Sequence, residues 1–298
     1  MRSSLRHILA LGLCCLGLSA LAREQDDASL ALVGKVVQAY GGAAVIERVA
    51  SVHAQGTIIA LARGSHGTYE RQLARPRQLR VQTGYTGSSE TRLLNGDRTW
   101  RSNQGSLMRA VTGPGHLAMV YQYKQLDLPY GLLKGSYNLR YTGAEQVRDK
   151  PTETIEVWDD EGPTMRINID AVDHYIVKVT GFISVGGAST TLGVEFSDFK
   201  PVEGLMLPFR IQNYAADHPL SETVIRNYTV NPPANPSLFV PPVSGVDSAR
   251  SAVDRVRPIQ STHWLTPAPR VWHETPPIDR LPASWAGHWR HRPPQWLV

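Results

Sequence analysis

Arg92-Leu93-Leu94-Asn95-Gly96-Asp97-Arg98-Thr99-Trp100 decides the fold class, because Asn-Gly between two short runs with apolar residues is a hairpin signal. Both Asn95 and Gly96 tolerate the positive φ of a tight turn, so the chain is expected to fold back there as two antiparallel strands. On both sides of this hairpin, from residue 51 to 231, segments of five to ten residues alternate in polarity between Gly, Asn, Asp and Pro breaks. Met165-Arg166-Ile167-Asn168-Ile169-Asp170 puts its apolar residues on one face, as do Leu192, Val194 and Phe196 in the segment 190–197. Leu205, Leu207, Phe209 and Ile211 repeat the period of two, and Ser51 to Leu61 reads as the first strand. A large antiparallel sheet is predicted.

Two stretches leave the strand period. Asp26-Asp27-Ala28-Ser29 offers helix-capping oxygens, and Leu30, Val33, Val37 and Tyr40 follow at helical spacing before Gly41-Gly42. A short second helix is expected from Ala43 to Val49. Pro114 to Leu133 carries His116, Leu117, Met119, Val120 and Tyr123 in helix-like order, with Pro114 suited to a first turn, and predicts one or two short helices. Such helices must cover one apolar face of the sheet, which makes the fold α+β.

The ends differ from the middle. Arg2 and Arg6 precede an apolar run from Ile8 to Leu18, then Ala20-Leu21-Ala22 and the charged Arg23 to Asp27, the pattern of a secretory signal cleaved after Ala22. The run is shorter than the roughly 20 residues a membrane span needs. The chain is therefore expected to be exported to the periplasm, with 1–22 as signal, 23–243 as one β-rich domain and 244–298 as a disordered tail. Cys14 and Cys15 are the only cysteines of the 298 residues and would leave with the signal, so the domain must hold itself together by burial. The formal net charge of +5 falls to +3 without Arg2 and Arg6. The basic residues are scattered and no nucleic-acid motif accompanies them, so nucleic acid is not expected as a partner, although weak attraction to anionic lipid head groups leaves peripheral membrane contact open.

No chemistry-bearing constellation stands out, so neither a catalytic residue nor a cofactor is predicted and the chain does not read as an enzyme. Asp159-Asp160-Glu161-Gly162 is acidic but lies between two alternating segments and reads as a turn. Gly-x-Ser-x-Gly is absent, and Gly181 to Gly187 reads as a strand entering a glycine turn. His288-x-x-His291, with His263 and His273, lacks carboxylate or cysteine partners at ligand spacing, so no metal site is expected. The same tail holds Trp264, Trp272, Trp285, Trp289 and Trp296 interleaved with arginines. Those tryptophans would suit a membrane interface, whereas the Trp, Arg, His and Pro enrichment without period is also what an out-of-frame reading of GC-rich DNA gives.

Gly67-Thr68-Tyr69, then Arg75-Pro76, then Asn95-Gly96-Asp97-Arg98-Thr99-Trp100 resembles the LolA-type periplasmic lipoprotein carrier family (the LolA/LolB-like superfamily). A second likeness runs from Val202-Glu203-Gly204-Leu205-Met206-Leu207-Pro208-Phe209 through Tyr228-Thr229-Val230-Asn231 to Leu238-Phe239-Val240-Pro241-Pro242, so that the resemblance spans about residues 28 to 242. It implies a strongly curved antiparallel sheet, an unclosed half-barrel, with helices covering its concave face over an apolar cavity for acyl chains. It also implies that Arg75 ties that helical lid to the sheet. Trp100, Met108, Leu117, Met119, Val120 and Leu133 are the residues expected to line the cavity, against the plainer role of core packing between lid and sheet. The function that follows is noncatalytic carriage or sensing of a hydrophobic cargo, lipid or lipoprotein, by a monomer at the outer membrane. The alternative is an envelope signalling or assembly module that binds a partner protein. Lipid extracted with the protein would favour the first, and an empty, tightly packed cavity the second.

Overall fold

The computed structural model describes residues 23–242, apart from Gly186, Gly187 and the side chains of Val185 and Ala188. The expected signal at 1–22 and the expected tail at 244–298 lie outside the described residues. Two helices, α1 (Asp27–Ala39) and α2 (Ala43–Arg48), precede six strands: β1 (Ser51–Ala60), β2 (Ser65–Ala74), β3 (Gln78–Tyr85), β4 (Ser88–Asn95), β5 (Arg98–Asn103) and β6 (Arg109–Val111). Helix α3 (Pro114–Leu133) leads to β7 (Asn138–Val147), β8 (Lys150–Trp158), β9 (Met165–Asp170) and β10 (Ile176–Val185). Strands β11 (Ala188–Val202), β12 (Leu205–Ala215) and β13 (His218–Val230) complete the sheet, and a 3-10 turn follows at Pro236–Phe239.

The hairpin predicted at Asn95-Gly96 forms one residue further along. Asn95 pairs with Arg98, so the two-residue loop is Gly96-Asp97, and of these four residues only Gly96 takes a positive φ, 59°. Glycine at the first loop position is the type II′ preference, which frees Asn95 to stay in the ladder. Asp26 caps α1 as expected, accepting from the Ser29 amide at 2.8 Å, and it also accepts from the Tyr141 amide of β7 at 2.8 Å. Leu30 is exposed, and the helix instead buries Leu32, Val33, Val36 and Val37.

All thirteen strands join one antiparallel sheet in the order β6-β5-β4-β3-β2-β1-β13-β12-β11-β10-β9-β8-β7. The sheet is not closed: β6 and β7 are its two edges, and α3 is the segment of chain that connects them. Met119 of α3 lies with Thr99 and Trp100 of β5, while the Tyr121 hydroxyl, two residues on, donates to the Val179 carbonyl of β10 at 2.9 Å. Strands β5 and β10 are eight positions apart in the sheet, roughly 38 Å if it were flat, yet two helical residues advance only about 3 Å. The sheet therefore wraps around the helix as an unclosed half-barrel. Gly181 on β10 makes the approach possible, since a Cβ there would stand 2.6 Å from the Tyr121 ring.

Residues 114–133 form one 20-residue helix rather than one or two short ones, with Pro129 inside its last turns. Its buried residues include Met119, Val120, Tyr121, Lys124, Gln125 and Asp127, positions that point in several directions around the axis. A helix enclosed by a curved sheet has no single apolar stripe, which is why its helical period is weak. The core is the concave side, where Ile155, Val157, Ile167, Ile169, Val179 and Val194 are wholly or almost wholly buried. No described helix is long and apolar enough to cross a membrane.

Candidate functional site

Arg75, the residue after β2, sits where lid and sheet meet. Its Nε donates to Asp127 Oδ1 of α3 at 2.7 Å, and its Nη1 donates to the Ile46 carbonyl of α2 at 3.2 Å and to the Val49 carbonyl. The guanidinium also lies over the Tyr130 ring of α3, 3.7 Å from its centroid. One planar fork of five donors thus joins β2, α2 and α3, an arrangement that the point charge of a lysine would not reproduce. Asp127 further accepts from the Tyr123 hydroxyl at 3.0 Å, and that oxygen accepts from the Arg77 amide at 3.0 Å. Burial pushes the Asp127 carboxyl above its usual range even though the Arg75 charge opposes it.

A second tether holds α3 to the loop between β8 and β9. Lys124 is buried, donates to both Asp159 oxygens at 2.5 and 2.6 Å, and donates to the Glu161 carbonyl. Burial lowers the pKa of its ammonium despite Asp159. Glu161 accepts from Arg77 in turn, so the acidic turn at 159–162 fastens the lid.

Between this lid and the sheet lies a cavity of about 70 Å³. Tyr40, Ile46, Gln125 and Pro129 close it from the helical side. Arg71, Leu73, Ile176, Phe196, Leu205 and Leu207 face it from the sheet, with Arg75 at its margin. Tyr40, Tyr175 and Phe199 pack beside it, with Tyr175 stacked on Phe199 at 4.6 Å and Tyr40 edge-on to both. The volume holds about two water-sized groups, whereas clefts for drug-sized ligands start at about 300 Å³. In this conformation the lid is closed.

The residues singled out by sequence distribute differently. Arg75 borders this cavity, whereas Trp100 and Met119 line a separate groove of about 30 Å³ with Val111, Gly115 and Ala118. Val120 is fully buried beside Gly162, while Leu117 and Leu133 are half-buried against the core. Met108 is half-buried between β5 and β6 and lines neither space. Sequence reasoning missed Tyr40, Arg71, Gln125, Phe196, Leu205 and Leu207. One signal was available: Tyr69, Arg71 and Leu73 share a strand face by their spacing, which places a guanidinium among apolar neighbours.

His116 accepts or donates a 2.9 Å hydrogen bond with Thr99, and burial and the nearby Arg77 charge lower its pKa. Among the described residues no group of three or more His, Cys, Asp or Glu could hold a metal ion. No family model and no curated protein matches the chain. Among solved structures it is similar to a domain from Vibrio parahaemolyticus assigned to outer membrane lipoprotein sorting, at 12% identity over 70% of this chain and 95% of that one, TM-score 0.47. It is also similar to a DUF1329 family protein from Desulfovibrio piger, at 10% identity over 70% and 96%, TM-score 0.48. A LolA superfamily protein from Nitrosomonas europaea matches at 15% identity over 64% and 89%, TM-score 0.40. The likeness is one of fold.

Proposed function

We propose that this chain binds a hydrophobic ligand, an acyl chain of a lipid or lipoprotein, between the concave sheet and its helical lid, and acts in the periplasm as a noncatalytic carrier or sensor. The observation that carries this reading is the seam at Arg75. The Arg75 guanidinium fastens α2 and α3 to β2 at the margin of an apolar cavity, where the apolar packing of lid on sheet is interrupted. Hydrogen bonds contribute about 0.5–1.5 kcal/mol each, somewhat more when charged, and each buried CH₂ about 0.8 kcal/mol. Six methylenes, about 5 kcal/mol, are comparable to the polar contacts of that seam. The export pattern read in residues 1–22 supports a periplasmic location.

The small closed cavity favours a second reading, an envelope signalling or assembly module whose surface engages a partner protein. Native mass spectrometry of protein purified from periplasmic extract, followed by organic extraction, separates the two. A stoichiometric acylated species is expected. A clean apo mass that stays unchanged after incubation with envelope lipids would sink the ligand reading and leave the partner protein.

A further inference from the structure

Two arginines border the cavity, and they are treated in opposite ways. Arg75 is matched by the Asp127 carboxylate and two carbonyls. Arg71, on β2 four residues earlier, is only 5% exposed and its Nε has no hydrogen-bond partner. The rest of its guanidinium hydrogen-bonds the Tyr69 and Tyr228 hydroxyls and stands 6.0 Å from the Tyr228 ring centroid, and among the described residues no carboxylate forms an ion pair with it. A guanidinium is always charged, and leaving one buried without a counter-charge costs several kcal/mol. Across the cavity Gln125 of α3, 6% exposed, also has an unpartnered side-chain oxygen.

The surrounding sheet adds positive charge. Arg71 pairs across the ladder with Val81, Val81 with Arg92, and Arg92 with Arg101, so three arginines stand in one cross-strand row on one face. Glu90 forms ion pairs with Arg92 and Arg101 at the far end of that row, which leaves the Arg71 end uncompensated. The walls near Arg71 are apolar, formed by Leu73, Phe196, Leu205 and Leu207, and the one carboxylate that lines the cavity, Asp127, is already engaged by Arg75 and Tyr123.

Resting on the ligand-binding reading above, we infer that Arg71 is the head-group site of the cavity and that the ligand is an amphiphile with an acidic head, a carboxylate or a phosphate. The head accepts from the Arg71 fork and from the Gln125 amide, whose nitrogen and oxygen exchange places by a flip, while the tail follows the apolar wall as α3 yields. The present volume of about 70 Å³ suits a head group and not a chain.

The test is isothermal titration of the full chain at neutral pH with dodecanoate, dodecyl phosphate and dodecanol, with acetate and inorganic phosphate as tail-less probes. The two acidic amphiphiles are expected to bind at least about tenfold more tightly than dodecanol, the worth of one charge-assisted hydrogen bond. Arg71→Gln is expected to remove the preference, so that the three dodecyl compounds bind within about twofold of one another, and Arg71→Lys to keep part of it. Equal binding of all three dodecyl compounds overturns the inference and leaves the hydrophobic cavity standing, whereas no binding of any of them overturns both. Acetate or phosphate binding as tightly as the amphiphiles identifies a small-anion site and overturns the amphiphile assignment. The comparison on the unsubstituted chain decides the matter even if Arg71→Gln fails to fold.

Discussion

At the scale of single residues, Arg75 and Asp127 form a nearly buried pair, and their two halves are not equivalent. Removing the guanidinium leaves a carboxylate in the seam with only Tyr123 for company, so Arg75→Leu is expected to lower stability by about 3 kcal/mol in urea titration while keeping the sheet's circular dichroism. The same change should speed ligand release, and unchanged exchange kinetics would remove Arg75 from the lid. Asp127→Asn keeps an acceptor for Arg75 but takes away its counter-charge, and is expected to cost about 1–2 kcal/mol, less than Arg75→Leu because burial already disfavours the charged carboxylate. The sign follows by linkage. A carboxyl whose folded pKa is raised above the unfolded 3.8 binds its proton more tightly when folded, so its favourable contribution is complete below that value and is lost as pH rises through the folded pKa. Across that window the unsubstituted protein should lose stability relative to Asp127→Asn, and parallel stability–pH curves would refute the assignment.

At the scale of elements, α3 is held by what surrounds it rather than by its own sequence. Gly113 precedes it with φ 59° and makes no side-chain cap, Pro129 interrupts its backbone donors, and Lys124, Gln125 and Asp127 are buried within it. Its place depends on close contacts such as Tyr121 against Gly181. Gly181→Ala puts a methyl group into that ring and must push α3 off β10, at a cost of about 1–3 kcal/mol. Faster hydrogen exchange confined to α3 and β10 is the expected signature, and exchange rates equal to those of the unsubstituted chain would show that the ring has room to move.

At the scale of the whole molecule, the sheet provides its own long-range order while the lid does not. Strands β8 to β12 pair on both sides and bury residues such as Ile155, Ile167 and Val194 completely. Helices α1 to α3 pack apolar side chains such as Val36, Ile46 and Leu128 into the same core, but polar tethers and a small void interrupt that packing. Native-state hydrogen exchange should therefore find the α3 amides opening at a lower free energy than those of β9 and β10, as a separate unit. Global exchange of both together would mean that the lid opens only when the sheet unfolds, which would deny a ligand entry.

The local elements were legible because local chemistry specifies them. The period of two at Met165–Asp170, the glycine of the β4–β5 hairpin and the capping carboxylate of Asp26 each act over a few residues, so sequence alone determined strands, turns and the first helix. The hairpin loop lies one residue further on, and Asn95 stays in the ladder, where its side chain accepts from Gln78 and donates to the Phe239 carbonyl. The single helix at Pro114–Leu133 escaped reading because its buried positions surround the axis, and the cavity wall escaped because Tyr40, Gln125 and Leu205 come from segments far apart in the chain. Arg75 stands out in the sequence through the resemblance of Arg75-Pro76 to the Arg-Pro pair of LolA-type carriers, while Arg71, equally visible in the strand pattern, gains meaning only when folding buries it without an ion-pair partner. Sequence fixes what each segment is because backbone preference and side-chain period are short-ranged. Only tertiary structure decides which charges are paired and what space remains, because closure of the sheet around α3 is a property of all its strands at once.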